Sequence, residues 1–300
     1  VRLNTDAIDN SGGVDMSDHE VNLKILLGQL VRRGEMTIEG RNTLLEAMTD
    51  EVADLVLANN DTNGRMLSRD VIRSKTDLFQ FGRAIQFVQR EFGRTSESLN
   101  LPDDAELARR AELGLGLTRP ELSVLSAWVK MFVFNQLMAA KPKKLPGYRE
   151  LLHNYFPVRV RESFPDDIDA HMLADEIAMT VATSGMVADA GAAFFPMTIE
   201  TTAARVMDIA TAYLKAQKLA EAAKLRTTLE QLRTSVALDA LNRAWVMVDS
   251  GAREVARYWL SSSGRIPTDE ELHEMTSAAQ QVYELQHTEV LRRNADLANS

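Results

Sequence analysis

Cysteine is absent from this 300-residue chain. That excludes disulfides, thiolate catalysis and Cys-ligated zinc together, and leaves the compartment open. No stretch reaches about 18 uninterrupted apolar residues, and the N-terminus lacks a charged segment followed by a long apolar core. Neither a membrane span nor a signal peptide is indicated, so a cytoplasmic location is the default expectation. Positive charge is scarce: 34 Lys and Arg against 43 Asp and Glu leave a net charge of -9 and a pI near 5.2. Nucleic acid and anionic membranes need basic patches, so neither is an expected partner. The five histidines are scattered. His273-Glu274 opens a zinc-protease-like pattern, but Ser277 stands where the second His is required, and no metal site is expected. A glycine-lysine phosphate loop and a nucleophile elbow are also missing.

What is present is helical periodicity over most of the chain. Residues 17–33 place Leu23, Leu26, Leu27 and Leu30 on one stripe, with Arg32-Arg33 at the negative end of the dipole and Gly34 as the stop. Thr37 caps a second helical region carrying Leu44, Leu45, Met48, Val52, Leu55 and Val56. Turn chemistry predicts a loop over residues 60–64, Asn-Asp-Thr-Asn-Gly, and a further helix spans residues 78–92. Gly114-Leu115-Gly116 is not a dinucleotide fingerprint, because no strand precedes it and Arg119 stands where the third glycine belongs. Instead Thr118, Pro120 and Glu121 open a helix over residues 119–139, apolar nearly all round from Leu122 to Met138 and the strongest core candidate.

Residues 141–146, Lys-Pro-Lys-Lys-Leu-Pro, form the best internal boundary. Gly185 and Gly191, set among alanines, allow close backbone approach or mark a bend, and Phe194-Phe195-Pro196 ends that region. Four long helices follow, over residues 202–217, 220–234, 236–260 and 269–297. The last has Thr268 as N-cap and Glu271 three positions on.

One stretch, residues 6–20, combines turn chemistry, capping and a candidate ligand site. Gly12-Gly13 permits positive φ or close approach, and Ser17 with Glu20 has the spacing of a capping box, which makes Ser17 the expected N-cap. Such a terminus presents unpaired N–H groups and the positive end of the dipole, which suit a carboxylate or phosphate. His19, on the first turn, is read as structural. The residues before Asn10 read as the tail of a strand entering the loop.

The run Leu3-Asn4-Thr5-Asp6-Ala7-Ile8-Asp9-Asn10-Ser11, continued by Gly12-Gly13-Val14-Asp15 and Ser17-Asp18-His19-Glu20-Val21-Asn22, resembles the large bacterial NAD-specific glutamate dehydrogenases. Leu117-Thr118-Arg119-Pro120-Glu121-Leu122-Ser123-Val124-Leu125 and Tyr155-Phe156-Pro157, with Arg161-Glu162, are similar to the helical C-terminal part of the same subclass. In the family an Asp, an Asn four residues later, Gly-Gly-Val and a Ser close the nucleotide-binding domain. Asp6, Asn10, Gly12, Gly13, Val14 and Ser17 occupy that spacing. The resemblance implies that Asn10 lies beside the nicotinamide ribose of NAD and that Val14 and Ser17 line the glutamate pocket. Gly12 stands where the large subclass more usually has Ala. Ala188-Asp189 stands where it more usually has Asn-Arg, and no role is carried over there.

The implied fold is all-α: a bundle-like, multi-helix C-terminal region behind a short strand and loop remnant of an α/β nucleotide-binding domain. The expected divisions are residues 1–20, the end of the catalytic domain, then helical regions at 21–145 and 146–300. The implied reaction is oxidative deamination of L-glutamate to 2-oxoglutarate and ammonia with NAD as cofactor. The lysines and aspartate that the family uses for it are expected upstream of Val1, so no catalytic residue is assigned in this chain. A reading of a different class is a helical interaction or oligomerisation module without activity of its own. A homo-oligomer is expected in either case.

Overall fold

The computed structural model describes residues 3–10, 13–261 and 264–281, and among these the regular structure is entirely helical, without a strand. The chain divides into two compact units, Val1–Met207 and Asp208–Ser300. The first begins with α1 (Asp6–Asp9), α2 (Val14–Arg32), α3 (Ile38–Ala47), α4 (Thr49–Thr76), α5 (Leu78–Phe92), α6 (Ser96–Leu99) and α7 (Asp104–Glu112). It continues with α8 (Arg119–Ala139), a 3-10 turn at Pro142–Lys144, α9 (Tyr148–Asn154), α10 (Val158–Ser163), α11 (Pro165–Asp169), α12 (Ala174–Ala190) and α13 (Phe194–Thr202). The residues 141–146 break therefore lies inside this unit.

The centre of the first unit is α12, which buries Ile177, Ala178, Met179, Ala182, Met186, Val187 and Ala190, packing against α8, α9 and α4. Its alanines keep the backbone close to its neighbours, as suits a helix surrounded by others. Facing it, α8 buries Leu122, Leu125, Val129, Val133 and Leu137 at helical spacing, and each such side chain contributes about 1.5–3 kcal/mol. By length and composition α8 could also cross a bilayer. It is not apolar to its neighbours all round, however: Met131, on another face, is 41% exposed.

Several ends follow the local signals. Gly34 closes α2 at φ 77°, with Glu35 N–H donating to the Leu30 carbonyl, a Schellman closure. Thr37 Oγ1 accepts from Gly40 N–H at the start of α3. Glu121 Oε2 accepts from Thr118 N–H at 2.7 Å in a complete capping box at α8.

Four local readings are overturned by tertiary contacts. Residues 60–64 are not a loop but the middle of α4, where Asp61 pairs with Arg65 one turn on and Asn59 and Asn63 find partners on other helices. Those side-chain bonds engage the groups that would otherwise favour a local turn. The helical region after Thr37 is broken instead at Met48, whose side chain is wholly buried. Residues 6–9 are a helical turn rather than a strand end, and no strand among the described residues is there to pair with them. Pro196 does not end a helix but sits in the first turn of α13, where its missing N–H costs nothing.

The second unit holds most of α14 (Val206–Leu219), together with α15 (Ala222–Gln231), α16 (Leu238–Ser261) and a helical run over residues 269–281. The expected helix to residue 297 continues outside the described residues. Its start is as read, with Thr268 N–H donating to Glu271 Oε2 and Glu271 N–H to Thr268 Oγ1. Ile209, Tyr213, Leu241, Trp245, Ala252 and Ala256 form this core, and α15 packs on α16 across a buried Arg226–Asp249 ion pair at 2.8 Å.

Candidate functional site

The 6–20 motif is built from α1, a short connection and the first turns of α2. Thr5 accepts at its carbonyl from Ile8 and Asp9, and Asp6 accepts from Asn10 N–H at 2.9 Å, which closes α1 with Asn10 as its C-cap. Gly13 then stands as N-cap of α2 at φ -90° and ψ -109°. A Cβ added to Gly13 would lie 2.8 Å from both Asn10 amide atoms and 2.9 Å from its Cγ. Glycine is therefore what lets the Asn10 amide rest against the start of α2. Ser11 and Gly12 lie outside the described residues.

Ser17 is not the N-cap. α2 opens three residues earlier, so Ser17 lies within it and donates its N–H to the Gly13 carbonyl at 3.3 Å. The capping box also fails on its other side, because Glu20 pairs with Lys24. The earlier start is favoured by Asp15, an acid in the first turn whose Oδ2 accepts from Asn59 Nδ2 of α4 at 3.0 Å. Among the described residues no side-chain cap is made at this terminus.

Asn10, Val14 and Ser17 are all exposed, Val14 to 75%, and Val14, Ser17 and Val21 follow the i, i+3, i+7 spacing of one helix face. The opposite face buries His19, Leu23, Leu26, Leu27 and Leu30. Among the described residues, no group of three His, Asp or Glu could hold a metal ion.

His19 braces this helix from below. Its ring stacks on Tyr155 at 4.2 Å and 14°. Burial holds its pKa below the ordinary 6.5, against the opposing pull of Asp15 and Asp18, so the ring is neutral at pH 7. One turn on, Asn22 Nδ2 donates to the Tyr155 hydroxyl at 2.9 Å. His171 Nδ1 accepts from Leu173 N–H at 3.1 Å, which leaves the proton on Nε2 to donate to the Asn22 carbonyl at 3.2 Å.

Three further groups hold the region together, and local pattern did not single them out. Arg119, first residue of α8, donates from Nε to Asn4 Oδ1 at 2.7 Å, from Nη1 to Ser68 Oγ at 2.8 Å and from Nη2 to the Gly64 carbonyl at 3.0 Å. Lys130 Nζ donates to Asn63 Oδ1 at 2.8 Å, and burial pushes its pKa down to about 8. Arg69 and Arg73 of α4 donate to the last carbonyls of α12, those of Ala188 and Asp189, each at 2.7 Å. Asp70, fully buried between them in sequence, accepts from Arg73 Nη1 at 2.8 Å and from Ala192 N–H at 2.9 Å. A legible signal existed only for Arg119: a cation at the positive end of a helix dipole is misplaced by about 0.3–1 kcal/mol unless something else holds it.

Gly116, the second glycine of Gly114-Leu115-Gly116, is half-buried, with its Cβ direction filled. A Cβ there would lie 2.6 Å from Ser74 Oγ, which accepts Leu117 N–H at 3.1 Å.

A family profile described as "Glutamate dehydrogenase, C-terminal" matches residues 114–298, more than half of the chain. The chain belongs to the glutamate dehydrogenase C-terminal family. A second profile, "Bacterial NAD-glutamate dehydrogenase, catalytic domain", matches residues 1–70. Among curated relatives, the NAD-specific glutamate dehydrogenase of Mycobacterium tuberculosis is 41% identical over 190 residues, 63% of this chain and 12% of the relative. The protein of that name from Halomonas elongata is 36% identical over 236 residues, 79% of this chain and 15% of the relative. That of Pseudomonas aeruginosa is 38% identical over 212 residues, 70% of this chain and 13% of the relative. The chain thus spans only 12–15% of the length of these glutamate dehydrogenases. Within the first unit, residues 1–70 and the part of the C-terminal match up to Met207 pack together. Residues 1–70 are joined to residues of the C-terminal match in the first unit by the His19–Tyr155 stack, the Arg119–Asn4 bond and the Arg69–Ala188 bond.

Proposed function

We propose that this chain is the C-terminal portion of an NAD-dependent glutamate dehydrogenase and that its residues 6–20 complete the edge of the active site. The observation that carries the reading is the placement of Asn10, Val14 and Ser17, exposed at the start of α2 in a region matched by the catalytic-domain profile. In this reading Asn10 meets the nicotinamide ribose, Val14 and Ser17 face glutamate, and Asp6, Gly12 and Gly13 shape the loop. NAD, held in part by Asn10, would supply the hydride acceptor for oxidation of glutamate at its α-carbon to 2-oxoglutarate and ammonia.

The residues present fit one edge of that cofactor. The Asn10 amide is exposed and positioned against Gly13, and the α2 terminus beside it carries no side-chain cap among the described residues. The glycine fingerprint for the pyrophosphate is supplied from outside these residues, because Gly116 is packed against Ser74. The helical remainder braces this edge, a role supported by the contacts between residues 1–70 and the C-terminal match.

The test is steady-state kinetics in a glutamate dehydrogenase carrying this chain as its C-terminal portion. Because Ser17 is exposed and inside α2, neither Ser17→Ala nor Ser17→Asp should shift stability by more than about 0.5 kcal/mol. Ser17→Asp should raise the KM for glutamate more than Ser17→Ala does, since its carboxylate repels that of the substrate. Wild-type handling of glutamate by the Asp variant rejects the pocket role. The 300-residue chain alone should give no glutamate-dependent NADH, and turnover above a buffer blank rejects the assignment of the catalytic groups elsewhere.

A further inference from the structure

Arg119 opens α8 at the end of the helix where the dipole is positive, a place that favours acids. Among the described residues its guanidinium donates to Asn4 Oδ1 in the N-terminal arm, and to Ser68 Oγ and the Gly64 carbonyl one turn apart on α4. Asn4 hands the constraint on, its Nδ2 donating to Asp9 Oδ1 at 2.5 Å and its backbone N–H to Asp9 Oδ2 at 3.3 Å. Asp9 precedes Asn10, whose N–H is bound to Asp6 at 2.9 Å and whose amide rests against Gly13. A continuous set of bonds thus runs from the C-terminal helices through Arg119, Asn4 and Asp9 to Asn10.

We propose that Arg119 is a positioning residue for cofactor binding: through Asn4 it fixes the arm that presents Asn10. The inference rests on the reading that Asn10 meets the nicotinamide ribose. A planar fork of donors can address three acceptors at fixed angles, which the single ammonium of lysine cannot. The helical region thereby sets affinity for the dinucleotide without touching it. Val14 and Ser17 stand on α2, which is braced separately by Tyr155 and His171, so glutamate binding is not carried by this link.

The experiment uses a full-length glutamate dehydrogenase carrying this chain and the variants Asn4→Ala, Arg119→Lys, their double, and Asn10→Ala. Asn4→Ala keeps the Arg119 anchors on α4 and so tests the link without removing a strut of the fold. Asn4→Ala and Arg119→Lys should each raise the KM for NAD roughly three- to tenfold, part of what a charge-assisted hydrogen bond is worth. The KM for glutamate should stay unchanged, as should the Tm of Asn4→Ala. The double variant should be no worse than the poorer single, because both cut one link. A changed Tm with an unchanged KM for NAD makes Arg119 a structural strut and overturns the proposal, as do additive effects in the double. If Asn10→Ala raises the KM for NAD and Asn4→Ala does not, the positioning role fails while the reading of Asn10 stands. If Asn10→Ala leaves the KM for NAD unchanged, the reading of Asn10 fails and the proposal falls with it.

Discussion

Substituting Gly191 by alanine should be among the most damaging single-methyl changes in this chain. Gly191 follows α12 at φ 87° and ψ 157°, a region that only glycine adopts readily and that costs another residue about 1–3 kcal/mol. The added Cβ would lie 2.6 Å from Asp70 Oδ1 and 2.8 Å from Arg73 Nη1, between the two members of a buried ion pair. Parting such a pair costs about 3–5 kcal/mol, because each charge is left buried without its partner. Relief by movement is limited, since Asp70 is also held by Ala192 N–H and Arg73 by the Asp189 carbonyl. The expected loss is therefore about 4 kcal/mol or more, set by strain and pair disruption together. Gly185, exposed in the interior of α12 with open space around its missing Cβ, is the control, and Gly185→Ala should gain about 0.5–1 kcal/mol. Urea denaturation of the 300-residue chain, followed by circular dichroism, measures both. A Gly191→Ala midpoint equal to that of the parent refutes the account of this junction.

Acid should weaken the first unit before its carboxylates titrate. His19 and His171 are both held below 6.5 by burial, so the unfolded chain takes up protons that the folded chain refuses. Stability is thus present above 6.5 and is lost as pH falls through that value towards the lower folded pKa values. Asp15 and Asp18 face His19 and Glu176 faces His171, reducing this loss without reversing it. Denaturation midpoints at about pH 7 and about pH 5.5 should differ, His19→Phe should shrink the difference, and an unchanged slope in that variant rejects the assignment. At the alkaline end, Lys130 titrates near 8 in the folded chain and at 10.5 in the ordinary state, so stability should rise between those values. Lys130→Met should stabilise by about 1–3 kcal/mol at neutral pH, and a variant less stable than the parent shows that the Asn63 bond outweighs desolvation.

Local sequence determined where several helices begin and end. Thr37, Thr118 with Glu121, and Thr268 with Glu271 satisfy backbone N–H groups within three residues of themselves, and Gly34 takes a positive φ next to the helix that it closes. Such interactions involve only near neighbours, so they are written in a short window. The stripe of Leu23, Leu26, Leu27 and Leu30 was legible as helical periodicity, whereas the spacing of Asp6, Asn10, Gly12, Gly13, Val14 and Ser17 was legible through its resemblance to the glutamate dehydrogenases.

What the window could not contain was decided by distant residues. Turn chemistry predicts a loop over residues 60–64, but Asp15 and Lys130 take up the side chains of Asn59 and Asn63 and α4 runs through them. Ser17 had the spacing of a cap, yet α2 starts at Val14, with Asp15 of its first turn held by Asn59. Local pattern makes Arg119 the first residue of a helix and nothing more; the acceptors it meets among the described residues lie 115, 51 and 55 positions away. Arg69, Asp70 and Arg73 look in sequence like an ordinary charged helix face, and only the end of α12, over a hundred residues later, makes them a buried clamp. Backbone capping is satisfied locally, whereas a buried charge or amide must find its partner wherever the fold brings one, and that choice belongs to the tertiary structure.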